Sequence, residues 1–126
     1  MKRAIFENVL VTPYTAGAVI DRSNFLSAIA AASVTAAGDL TLTVTHCDTA
    51  DGTFVPANDM RLEANDRGTF TEDGVITVEG LAANDLANVD IDLVGSKQFI
   101  KIAFSGSAAA GAAYAYALGD AQYAPV

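Results

Sequence analysis

Leu40 to His46 reads Leu-Thr-Leu-Thr-Val-Thr-His, a strict alternation of apolar and polar side chains, and it runs into Cys47-Asp48-Thr49-Ala50-Asp51-Gly52-Thr53-Phe54, a stretch dense in turn formers. Successive side chains of a strand point to opposite faces, so this pattern predicts a half-buried strand entering a tight reversal. The same alternation returns in Asn88 to Val94, where Val89, Ile91 and Leu93 share the inward face and Asp90 and Asp92 the outward one. Gly95-Ser96-Lys97 turns the chain into Gln98 to Phe104, with Ile100, Ile102 and Phe104 on one face and Phe99, Lys101 and Ala103 on the other.

Ala112 to Leu118 alternates alanine with Tyr114, Tyr116 and Leu118, small on one side and aromatic on the other. Tyrosines on a strand pack the ring on the core and keep the hydroxyl at its rim, which is favoured here over a ligand-stacking platform. The segment from Asp21 to Thr35 is ambiguous, because its alanines favour a helix while Phe25, Ser27 and Ile29 would share one strand face. A strand is chosen because Ala36-Ala37-Gly38-Asp39 is a short glycine-containing connection into Leu40, giving a hairpin whose turn would need Gly38 if its φ is positive.

The remaining segments read as connections. Met1 to Thr15 opens with Lys2 and Arg3, then offers Ile5, Phe6, Val9, Leu10 and Val11 before Pro13, and suits a terminal arm better than a central strand. Val55 to Gly74 is mostly polar and turn-prone around Met60, Leu62 and Phe70, and predicts a long surface excursion that is either a contact surface or a solvated, tolerant loop. Val75 to Val78 reads as a short strand, Gly80 to Ala87 as a linker, Ser105 to Gly111 as a flexible connection and Gly119 to Val126 as a non-strand tail.

Composition narrows the function classes. A chain of 126 residues suits one domain, and alanine rather than large aliphatic groups supplies much of its hydropathy, so the core is expected to be thin and close-packed. Fifteen Asp and Glu against seven Lys and Arg leave a net charge of −8, which repels polyphosphate and anionic membranes, so neither nucleic acid nor a membrane is an expected partner. No continuous apolar run follows Lys2-Arg3, so a cytoplasmic site of synthesis is expected. Ala28 to Ala37 is interrupted by Ser33 and Thr35 and falls well short of the roughly twenty residues that a membrane span requires.

Chemistry is scarce. Cys47 is the single cysteine and His46 the single histidine, so an internal disulfide and a two-histidine metal site are both impossible. Neighbours in a flat strand face opposite ways, so the two cannot act as a pair, and each reads as an ordinary strand-end side chain. Asp48, Asp51 and Asp59 offer oxygens to a calcium ion, but their spacing matches no complete loop pattern and turn capping explains Asp48 and Asp51-Gly52. Phosphate-cradling loops are missing, and Asp90 and Asp92 read as solvated edge charges. Neither an enzyme nor a cofactor is expected.

Three blocks in order carry a resemblance: the strand and acidic hairpin from Leu40 to Phe54, the stretch from Val89 through Gly95-Ser96-Lys97-Gln98-Phe99 to Ile102, and the ending Ala117-Leu118-Gly119-Asp120-Ala121-Gln122-Tyr123-Ala124-Pro125-Val126. Together they resemble small virion structural proteins of tailed bacteriophages, in which a Ser-Asp-Asp-Gly hairpin, a Gly-x-Lys-aromatic strand opening and a Leu-Gly to Ala-Pro tail recur. Asp48-Thr49-Ala50-Asp51-Gly52 is one residue looser than the first of these. The resemblance implies an all-β, antiparallel β-sandwich or jelly-roll-like single domain over residues 16–126, with residues 1–15 as an extended N-terminal arm. It further implies a capsid decoration (cement) protein on the outer surface of the head, with the major capsid protein as partner and a trimer or dimer as its assembly. Ile5, Phe6 and Leu10 would then anchor the arm, and Tyr114, Tyr116 and Tyr123 would be core or interface rings. A neck or tail structural protein, or a carbohydrate-binding β-sandwich, are the alternatives.

Overall fold

The computed structural model describes residues 10–23, 25–57, 61–64, 69–71, 74–94 and 96–121. Its elements are β1 (Leu10–Pro13), β2 (Ile20–Asp21), β3 (Phe25–Ser33), β4 (Gly38–Cys47), β5 (Val55–Pro56), β6 (Leu62–Ala64), β7 (Thr69–Thr71), β8 (Val75–Leu81), β9 (Leu86–Asp92), β10 (Phe99–Ser105), a 3-10 turn (Ser107–Ala109) and β11 (Ala113–Ala121). Sheet A has the order β1-β11-β3-β9-β6-β7, and sheet B the order β2-β10-β4-β5, with β8 also paired to β4. Every described pairing is antiparallel, so the protein is an all-β sandwich.

The strong alternations fall where expected. Leu40, Leu42 and Val44 of β4 are buried, as are Val89 and Ile91 of β9, Leu93 just beyond it, and Ile100 and Ile102 of β10. Asp21 to Thr35 contains β3, with Ala28, Ala30 and Ala32 inward. The core is built from unequal halves, because sheet A brings these alanines with Ala64 and Ala87 beside Leu62, Val89, Ile91 and Leu118, while sheet B brings Leu40, Leu42, Ile76, Ile100 and Ile102. Small side chains opposite large ones let two layers interdigitate at native density.

Several connections differ from the reading of the sequence. β3 pairs with β11 and β9, and β4 with β10, β8 and β5, so Ser33 to Gly38 is a crossing between sheets and no hairpin. Val34 is buried in that corner, donating to the Asp85 carbonyl at 3.0 Å and accepting from the Asn84 amide at 2.9 Å. The turn at residues 94–98 likewise carries the chain from β9 in sheet A to β10 in sheet B. Here Arg22 donates to the carbonyls of Phe25, Ser96 and Lys97, tying the link before β3 to this crossover. Among the described strands only β4–β5 and β6–β7 are sequential partners.

The excursion from Val55 to Gly74 contains core residues. Leu62 and Ala64 are buried where β6 pairs with β9, and Ala57 is buried with its amide on the Val44 carbonyl at 3.0 Å. Three alternating residues are too few to announce a strand. Ser105 to Gly111 holds the 3-10 turn, whose Ala108 is buried. The linker at 80–87 shrinks to a turn at Ala82–Asp85 between longer strands, and the tail begins late because β11 runs to Ala121.

Gly38 does hold a positive φ, of 136°, but at the start of β4, where an added Cβ would lie 3.0 Å from the Ser107 Cβ. Gly106 sits opposite with φ of 100°, and a Cβ there would run into the Asp39 carbonyl oxygen. The two glycines let the 3-10 turn lie directly against β4, where the Asp39 amide donates to Ser107 Oγ at 3.2 Å.

Candidate functional site

The outward face of sheet A is the most distinctive surface of the molecule. Alternation sends Tyr114, Tyr116 and Leu118 of β11 toward the core, and leaves Ala113, Ala115, Ala117 and Gly119 outside. The same rule leaves Ser27, Ile29, Ala31 and Ser33 of β3 outside, beside Leu86, Asn88, Asp90 and Asp92 of β9. Register aligns them in rows: Ala117, Ile29, Asp90 and Glu63 lie side by side across β11, β3, β9 and β6. A floor of small side chains beside longer ones makes a groove of about 790 Å³, lined by Ser27, Ile29, Ala117 and Gly119 and rimmed by Arg61, Glu63, Asp90, Asp92 and Val94. A second depression of about 300 Å³ continues along the same face past Ala31 and Ala115 to Leu86.

The rim is unevenly charged. Arg61 and Glu63 approach to 3.6 Å, and Asp92 accepts the Val94 amide at 3.0 Å. Asp90 has no ion pair among the described residues, which leaves the groove acidic on its β9 side. Leu86 and Val94, 65 % and 62 % exposed, mark the two ends of the face. Asp90 and Asp92 are therefore no edge charges, because β9 is an interior strand between β3 and β6. The alternation that exposed them was legible; their company was set by register.

The residues expected to act separate into groups. Ile5, Phe6 and Tyr123 lie outside the described residues. Leu10 opens β1 opposite Leu118, so residues 10–13 of the expected arm form the edge strand of sheet A. Tyr114 and Tyr116 are half-buried against the core. The Tyr114 ring stacks on Phe104 at 4.0 Å between centroids, and Tyr14 meets both edge-on. Tyr14 donates to the Ile102 carbonyl at 2.9 Å and Tyr114 to the Ala109 carbonyl at 3.1 Å. Burial pushes both phenols up from their ordinary range, for Tyr114 with a further contribution from Tyr14. These are rings anchored at the core rim by their hydroxyls.

At the opposite end, His46 Nδ1 accepts the Lys97 amide at 3.3 Å. Its pKa is lowered, first by burial and then by the Lys97 charge, with Asp48 acting weakly the other way. Asp48 lies 3.7 Å from Lys97 Nζ on an exposed surface, and Asp51 occupies the β4–β5 loop, whereas Asp59 lies outside the described residues. Cys47 is half-buried at the end of β4 with its sulfur 3.8 Å from Thr49 Oγ1. Among the described residues no three His, Cys, Asp or Glu side chains converge on a common point.

Compared as a fold, the chain is similar to a solved structure, the SPBc2 prophage-derived protein YomS, with a TM-score of 0.55 over 90% of this chain and 94% of that one, at 9% identity. The two share a fold from end to end. Compared by sequence, the chain matches no family model and no curated protein. The architecture is thus one that occurs in a phage-derived protein, at a level of identity that speaks for the fold alone.

Proposed function

We propose that the protein is a structural component of a tailed-phage virion, a decoration (cement) protein bound to the outer surface of the head. The observation that carries this reading is the fold likeness, along nearly the whole of both chains, to a prophage-derived protein. The three ordered sequence blocks point the same way, and the net charge of −8 suits an outer surface better than a DNA-filled interior. The partners are the major capsid protein and further copies of this chain, and the assembly is a trimer or dimer.

In this reading the protein is no enzyme and acts without a cofactor. Many copies bridge neighbouring capsomers, and the shell gains resistance to internal pressure through buried area and avidity rather than through any single strong contact. The N-terminal residues, with Ile5, Phe6 and Leu10, extend contact beyond the sandwich. Electron microscopy of the purified particle tests the proposal: density for the sandwich repeated over the outer shell is the expected result. A few copies at the neck or tail would replace it by a neck or tail protein, and absence from particles would end it.

A further inference from the structure

The groove on sheet A and the N-terminal residues complement each other. The floor of the groove is mostly small and apolar, formed by Ser27, Ile29, Ala117 and Gly119, and its β9 side carries Asp90 and Asp92 beside the Arg61–Glu63 ion pair. Residues 1–9 precede the first described strand, and they hold Lys2 and Arg3, the one place where two cations are adjacent in this acidic chain, followed by Ile5, Phe6 and Val9. Apolar side chains find a floor with room above it, and two cations find a carboxylate rim.

The direction of β1 decides between one chain and two. Leu10 lies opposite Leu118 and Pro13 opposite Ala115, so the chain enters β1 at the same end of sheet A as the groove. β11 continues beyond Leu118 to Ala121, so the axis of β1, carried backward from Leu10, lies beside β11 in the plane of the sheet and does not cross its outer face. Residues 1–9 span up to about 30 Å when extended, enough to reach an adjacent copy. Direct pairing of two identical faces is the poorer arrangement, because it sets Glu63, Asp90 and Asp92 against a second set of carboxylates.

We infer that the sheet A groove is the receptor for residues 1–9 of a second copy of this chain, Ile5 and Phe6 lying on the Ile29–Ala117 floor and Lys2 and Arg3 against Asp90 and Asp92. The inference rests on the homo-oligomeric reading above and supplies its contact. In a Cys47→Ser background, the pair Phe6→Cys and Ala117→Cys is expected to give disulfide-linked oligomers on mild oxidation. A labelled peptide of residues 1–9, in excess, is expected to bind the full chain in competition with its own N-terminal residues, and to lose at least tenfold in apparent affinity against Asp90→Lys/Asp92→Lys.

Those two exposed positions leave the core intact, and an unchanged melting transition checks this. A disulfide confined within single chains, or equal peptide binding to the charge-reversed variant, overturns the inference. Occupancy on purified particles is scored separately. Crosslinking without shell binding would end the decoration reading and leave the groove assignment standing; shell binding without crosslinking would do the reverse.

Discussion

The central strands of the two sheets, β3 and β4, use opposite materials. Sheet B sends large side chains inward, Leu40, Leu42, Val44, Ile76, Val78, Ile100 and Ile102, and presents Thr41, Thr43, Thr45, Thr77 and Lys101 outward. Its outer face satisfies itself: Thr41 and Thr77 hydroxyls meet at 2.9 Å, and Lys101 Nζ lies 4.4 Å from the Phe54 ring centroid. In sheet A the large inward residues Leu62, Val89, Ile91 and Leu118 lie beside a set of small ones, Ala28, Ala30, Ala32, Ala64 and Ala87, while Ala31, Ala115, Ala117 and Gly119 face out. A sheet with large residues inside and polar ones outside is complete by itself. A strand such as β3, with alanines on its inner face and mostly small residues outside, brings its backbone close to whatever lies on each face, and among the described residues only its inner face is covered.

That contrast can be broken from either side. Leu42→Ala empties a fully buried site of sheet B, and the expected loss is about 2–5 kcal/mol, read from the denaturant midpoint of the purified protein. Ala30→Leu tests the opposite requirement, that β3 have no bulk inside, and overpacking is expected to destabilise by about 1–3 kcal/mol. If Ala30→Leu were neutral, the small residues of β3 would not be what sets the spacing of the layers.

Gly106→Ala is expected to lower stability by more than about 1 kcal/mol, because φ is positive and the new Cβ meets the Asp39 carbonyl oxygen. Thermal unfolding would show it. On the outer face of sheet A, by contrast, Ala31→Ser should change stability by no more than about 0.5 kcal/mol, since none of the described residues covers it. A larger loss in that variant, seen in the oligomer and absent in dilute monomer, would place a second copy on the face.

The smallest expected effect is a pH dependence at the far end of sheet B. His46 is held neutral, accepting the Lys97 amide, and its folded pKa lies below the ordinary value of about 6.5. The unfolded chain therefore binds this proton first, so the contribution is present above about pH 6.5 and declines as pH falls toward the folded pKa. Melting transitions of wild type and His46→Gln across that range should differ in slope; parallel curves would remove His46 as the cause.

Much of this architecture was legible before any coordinates, for a definite reason. Leu40–His46, Asn88–Leu93 and Gln98–Phe104 are half-buried strands with one wet face, so their side chains record burial with a period of two. Leu62 and Ala64 are as deeply buried, yet β6 is too short to show a period, and the surrounding polar residues concealed it. The connections were misread for another reason. A short glycine-containing link serves equally for a hairpin within one sheet and for a corner between two, and Ala36-Ala37-Gly38-Asp39 forms the corner.

Ala117, Ile29, Asp90 and Glu63 illustrate what alternation leaves open. Their sequence pattern says that each points away from the core, and this follows locally, from the pleat of each strand. That they stand in one row, and so form a groove with an acidic side, depends on β9 lying between β3 and β6 and on the registers of three pairings between residues far apart in the chain. The chain by itself determined the longer alternating strands, their inward and outward faces and the charge they carry, because those are properties of neighbours along the backbone. Only the tertiary structure decided which strands share a sheet and which outward residues meet, because burying the two unequal inner faces against each other is a choice made by the whole chain at once.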